Sequence, residues 1–107
     1  MASNPFMKTV TLTSDAVVYS LLTLMQAIDP GQNGRYCKLV IQNDPGNGAA
    51  NLYIGNDDLS ATNKGTQLVA TQAISFETVG VNIINASQIY LKSDTNAIKV
   101  NVTALQQ

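Results

Sequence analysis

The chain has no histidine and no tryptophan, and it has one cysteine, Cys37. Without histidine it lacks both the usual general base near neutral pH and the commonest metal ligand. A lone cysteine forms no internal disulfide, so the fold must hold by packing or by association with other chains. Charge is equally scarce. Asp, Glu, Lys and Arg make up 12% of the 107 residues, about half the usual fraction of roughly 25%. The six basic residues are scattered and the net charge is −1. Only Arg35 and Lys38 lie close together, and phosphate binding with counterion release needs more clustered cations than that, so nucleic acid is not an expected partner. No apolar run reaches the length of a membrane span. The start of the sequence has neither a basic region nor an apolar stretch of the secretory kind, so no secretory signal is expected there.

In place of charge the chain carries Asn, Gln, Thr and Ser. A neutral polar surface can be buried against a partner without stranding an unpaired Lys or Glu, which suits an assembly subunit. At this length there is room for one domain with one core, and the expectation is a single domain over residues 1–107.

Alternation of apolar and polar residues predicts a mainly β chain. Strands are expected at 6–13, 35–43, 50–55, 66–70, 73–78, 81–85, 88–92 and 97–103. The clearest, Arg35 to Asn43, puts Cys37, Leu39 and Ile41 on one face and Tyr36, Lys38, Val40 and Gln42 on the other. Asp44-Pro45-Gly46-Asn47-Gly48 concentrates turn residues. Between the first two of these strands the period changes: Val17, Leu21, Leu24 and Ile28 recur at helical spacing after the cap residues Ser14 and Asp15, which predicts a helix over 15–28. The residues Val17-Val18-Tyr19 also fit the end of a strand. Some seven to eight short strands and one helix predict an antiparallel β-sandwich.

The stretch Tyr19 to Pro30, the strand Leu39 to Gly46, and Leu52-Tyr-Ile-Gly-Asn-Asp57 resemble small virion proteins of tailed bacteriophages, as do Gly65-Thr-Gln-Leu68 and Ile89-Tyr-Leu-Lys-Ser-Asp94. The resemblance spans residues 8–103. It implies a β-sandwich particle component, made in the bacterial host cytoplasm and carried in the virion. The type is capsid decoration or cement protein, or head or tail accessory. It also implies a homo-oligomer, a trimer in the cement type, with the phage major capsid protein or other virion subunits as partners.

No catalytic, cofactor or metal site is expected. Cys37, on an aliphatic face, reads as a small hydrophobe. Asn56, Asp57 and Asp58, with Asp44 and Asn47, are the least implausible cation ligands, but Asn and Asp are also ordinary turn residues. The residues expected to touch a partner are the arm Met1, Ala2, Ser3, Asn4, Pro5 and Phe6, the loop Asp44, Pro45, Gly46, Asn47 and Gly48, and the C-terminal Gln107, because termini and turns adapt to a neighbour. The alternative is a carbohydrate- or receptor-binding module of a phage appendage, using Tyr36 and Tyr53 as an outward aromatic pair.

Overall fold

A computed structural model describes residues 5–78 and 83–106. The expected arm residues Met1–Asn4, the expected contact Gln107 and the start of the strand foreseen at 81–85 lie outside them. The described chain is mainly β, with two antiparallel sheets and one helix. The strands are β1 (Phe6–Leu12), β2 (Tyr19–Ser20), β3 (Arg35–Asn43), β4 (Leu52–Gly55), β5 (Thr66–Leu68), β6 (Ala73–Glu77), β7 (Ile84–Asn85), β8 (Tyr90–Ser93) and β9 (Ile98–Gln106), and the helix is α1 (Leu21–Ile28).

One sheet runs β1-β9-β3-β6, with β7 also paired to β3, and the other runs β2-β8-β4-β5. Antiparallel pairs join β1 to β9, β2 to β8, β3 to β6 and β4 to β5. The chain is therefore a long hairpin folded across two sheets, which is the jelly-roll arrangement of two packed Greek keys. Phe6, Val10, Leu12, Leu39, Ile41, Val100 and Val102 face Leu52, Ile54, Leu68 and Leu91 in one buried cluster between the sheets. The period-two patterns of β1, β3 and β9 supply that cluster because alternate side chains point inward.

Two local features depart from the simple alternation. In β3, Tyr36 pairs with Gln106 and Lys38 with Leu105, so Cys37 is the extra residue of a β-bulge. The bulge reverses the faces at that end of the strand. Tyr36 turns inward and is fully buried, while Cys37 turns outward, half-buried, with its thiol donating to the Leu105 carbonyl at 3.4 Å. The expectation that Cys37 shares the core face with Leu39 and Ile41 is thus corrected.

The helix is shorter than the 15–28 its periodicity suggested. Ser20 caps it, the hydroxyl accepting from the Thr23 N–H, and Leu21 and Met25 form its buried stripe. Residues before Ser20 are drawn elsewhere. Tyr19 pairs with Leu91 in the sheet, and its hydroxyl bonds Thr13 Oγ1 at 2.9 Å and accepts the Ser14 N–H at 3.0 Å. Ser14 accepts from the Ala16 N–H, a local turn that replaces the expected helix cap.

The two ends of the sandwich differ. At one, the loops 13–18, 44–51, 69–72 and 94–97 are laced together by hydrogen bonds. The Asp15 N–H donates to Asn96 Oδ1 at 2.8 Å, the Asn51 N–H and Nδ2 reach the Asp94 carboxylate at 2.9 and 2.8 Å, and the Asn43 N–H reaches the Gln72 carbonyl at 3.0 Å. At the other end α1 docks on the short helical turn Ala86–Gln88, the Leu21 N–H donating to the Ile89 carbonyl at 3.0 Å.

Candidate partner-binding surface

The residues expected to make contacts fall in two places. Pro5 and Phe6 begin β1 beside the end of β9, whereas Asp44–Gly48 lies at the far end of the sandwich, where β3 leaves its sheet. Phe6 is 1% exposed, packed in the core and aligned with Ala104, so it anchors the strand and is out of reach of a partner. Pro5 is exposed.

The loop is not a loose adaptor. Asn47 Nδ2 donates to Asn43 Oδ1 at 2.7 Å and to the Lys99 carbonyl at 2.6 Å, while the Lys99 N–H returns a bond to Asn47 Oδ1 at 3.0 Å. The Asp44 carboxylate accepts from Asn101 Nδ2 at 2.9 Å and from the Gly46 N–H at 2.8 Å. Those bonds, the Asn101 amide first, hold its pKa below the usual carboxylate value. Pro45, Gly46 and Gly48 are exposed on this pinned turn, so the loop offers a preformed shape.

The tyrosine pair foreseen as a sugar platform does not form. Tyr36 is buried, its hydroxyl donating to Gln32 Oε1 at 2.8 Å, and burial raises its pKa. Tyr53 is 6% exposed, with Lys64 Nζ 5.4 Å from its ring centroid. The set proposed for a cation also separates. Asn56, Asp57 and Asp58 follow β4 while Asp44 and Asn47 precede it, so the strand's own length lies between them. Among the described residues no three His, Cys, Asp or Glu side chains gather.

What periodicity alone did not single out is the outer face of the β1-β9-β3-β6 sheet. In register across it run Thr9, Asn101, Gln42 and Ala73, then Met7, Thr103, Val40 and Ser75. No described segment of the chain covers this face: Met7 is 67% exposed and Leu105 37%, and Thr9, Ala73 and Ser75 are exposed. Its polar groups are tied to one another, Thr9 Oγ1 donating to Asn101 Oδ1 at 2.7 Å and Asn101 Nδ2 to Gln42 Oε1 at 3.0 Å. Charge is confined to its margins, where Lys38 pairs with Glu77 at 3.3 Å and Lys99 stands near the pinned loop. The free edge of the sheet is less inviting. Lys8, aligned with Val102, places an exposed ammonium on the core-facing side of edge strand β1, a device that disfavours strand addition.

No family model matches the chain, and no curated protein matches it. Among solved structures it aligns over its full length with 81% of a chain from the cryo-EM structure of the virus-like particle of extra small virus from the giant freshwater prawn Macrobrachium rosenbergii, at 11% identity and a TM-score of 0.43. A likeness that weak bears on neither fold nor role; the jelly-roll assignment comes from strand order and pairing.

Proposed function

We propose that the chain is a non-enzymatic virion structural protein, a decoration or cement protein that binds and stabilises a phage particle through protein contacts. The observation that carries the reading is the charge-poor outer face of the β1-β9-β3-β6 sheet, which no described residue covers. Burying Met7, Leu105, Val40, Thr103 and Ser75 against a capsid subunit removes apolar area from water at about 25 cal/mol per Å² and strands no charge. The hydrogen-bonded Thr9, Asn101 and Gln42 row enters the interface already satisfied, so it costs little to desolvate. The jelly roll recurs in viral capsid domains, and equally in proteins of other function. The fold therefore permits the role, and the face favours it.

The rest of the reading follows the phage resemblance: one domain, a trimer, seated on the outer capsid surface with the major capsid protein as partner. Its test is reconstitution. Purified protein added to particles lacking it should rebind and raise their thermal disruption temperature, and native mass spectrometry of the free protein should show trimers. Failure to bind and failure to protect would overturn the decoration role; a monomer that still binds would remove only the trimer.

A further inference from the structure

Two adjoining recesses open where the segment after β4 meets the turn Ala86–Gln88, near the helical end of the sandwich. The larger, of about 410 Å³, is lined by Asn56, Asp57, Ser87, Gln88 and Tyr90. The smaller, of about 240 Å³, shares Asn56 and Gln88 with it and is walled by Ile74, Phe76 and Ile89. Together they form a cleft with a polar half and an apolar half, and the larger alone falls within the roughly 300–1,000 Å³ usual for small-molecule sites.

The state of the amides singles this place out. Every other described asparagine and glutamine uses its side-chain amide in a hydrogen bond within the chain. Asn56 and Gln88 do not, and both line the same cleft. The Asp57 carboxylate and the Tyr90 hydroxyl beside them also have no partner among the described residues. Ser87 Oγ donates to Asn85 Oδ1 at 2.7 Å and keeps its lone pairs for accepting. Among the described residues, the side-chain amides that make no bond within the chain are these two, and they converge on one opening.

We propose that this cleft binds a neutral saccharide, with N-acetylated sugars preferred. Each sugar hydroxyl both donates and accepts, which matches amides that do both beside a carboxylate that only accepts. The Tyr90 hydroxyl, which can donate and accept, adds to the polar half. The Ile74, Phe76 and Ile89 wall takes the acetamido methyl, whose polar atoms Asn56 and Gln88 meet at the boundary of the two halves. Asp57 and the absence of Lys or Arg from the lining set the site against phosphate, sulfate and sialic acid. Nothing in this assignment depends on how the chain meets a particle.

The test is a chemical-shift titration of the isotope-labelled protein with N-acetylglucosamine, N-acetylgalactosamine, glucose, galactose, sialyllactose, a sugar phosphate and calcium. Saturable shifts centred on residues 56–57 and 87–90 with an N-acetylated neutral sugar support the proposal. Asn56→Ala and Gln88→Ala should each weaken that binding about tenfold, the loss of one well-placed hydrogen bond to the ligand, without moving the melting temperature, since neither amide serves the fold. The proposal is overturned if no neutral sugar shifts these residues, if both variants bind as well as the parent, or if the shifts come only from the anionic sugars or calcium.

Discussion

Asn43 is the residue on which the hydrogen-bonded end of the sandwich most depends. It is fully buried, the last residue of β3, and its Nδ2 donates to the carbonyls of Ala50 at 3.0 Å and Leu68 at 2.9 Å. Its Oδ1 accepts from Asn47. One amide thus clamps the chain entering β4 and the chain leaving β5. In Asn43→Ala both carbonyls, which belong to buried residues, lose this donor. Each unsatisfied group costs about 1–3 kcal/mol, so the two carbonyls together make the loss about 2–6 kcal/mol out of a total on the order of 5–15. At roughly 4–8 °C per kcal/mol for a chain near this size, the melting temperature falls by at least about 8 °C. Asn43→Asp sharpens the test. A carboxylate there faces two carbonyl oxygens, which raises its pKa in the folded state, so that stability is lost as pH rises and partly regained below about pH 4. Urea denaturation of both variants across pH gives the answer. An Asn43→Ala protein within about 1 kcal/mol of the parent, or an Asn43→Asp protein indifferent to pH, refutes the reasoning.

Further consequences are open to similar measurement. Gly65 has φ +61 and a Cβ there would strike the Ile54 carbonyl oxygen, so Gly65→Ala should cost about 2–4 kcal/mol in denaturant titration. Around Asp94, burial pushes the pKa up, but hydrogen bonds from the Asn51 backbone and side chain and from Thr95 outweigh it and the net shift is down. Its stabilisation is therefore present above the unfolded value of about 3.9 and fades as pH falls through the lower folded value; Asp94→Asn should flatten the acid limb of stability against pH. Burial raises the Tyr36 pKa, so its contribution holds below about pH 10, the unfolded value, and is lost as pH rises toward the folded one. Tyr36→Phe should remove that alkaline loss in a melting-temperature series while lowering stability at pH 7 by about 1 kcal/mol for the bond to Gln32.

Much of the sandwich is legible in the chain's alternation. Strands expected at 6–13, 35–43, 73–78 and 97–103 form at 6–12, 35–43, 73–77 and 98–106, because each has branched or aromatic side chains recurring at period two between turn residues. What alternation misses is set by tertiary contacts. The bulge at Cys37 carries no local signal; it follows from fitting β3 to Gln106 and Leu105 of β9, and it reverses the faces assigned to Tyr36 and Cys37. The start of α1 is decided by a sheet pair between Tyr19 and Leu91, 72 residues apart in sequence, against which the helical spacing of Val17 does not prevail. Turn chemistry points to the termini and to Asp44–Gly48 as contact residues, because adaptable residues cluster there. The outer sheet face proposed to dock draws Met7, Val40, Ser75 and Thr103 from four strands, a row visible only once register is known. The cleft is hidden for the same reason, since Asn56 reads as an ordinary turn residue and Gln88 as the start of a strand until the other described amides have been matched to their partners.

The central claim is that the β1-β9-β3-β6 face docks on a particle, and Val40→Lys tests it most directly. Val40 is half-buried on the outer side of β3, between Thr103 and Ser75, so the substitution projects an ammonium from the middle of the face and leaves the core untouched. Added to particles lacking the protein, the variant should keep its fold and melting temperature but lose rebinding by a hundredfold or more, the order of effect for about 3 kcal/mol of unpaired charge buried in an interface. Rebinding by Val40→Lys at the parent's affinity would contradict the account.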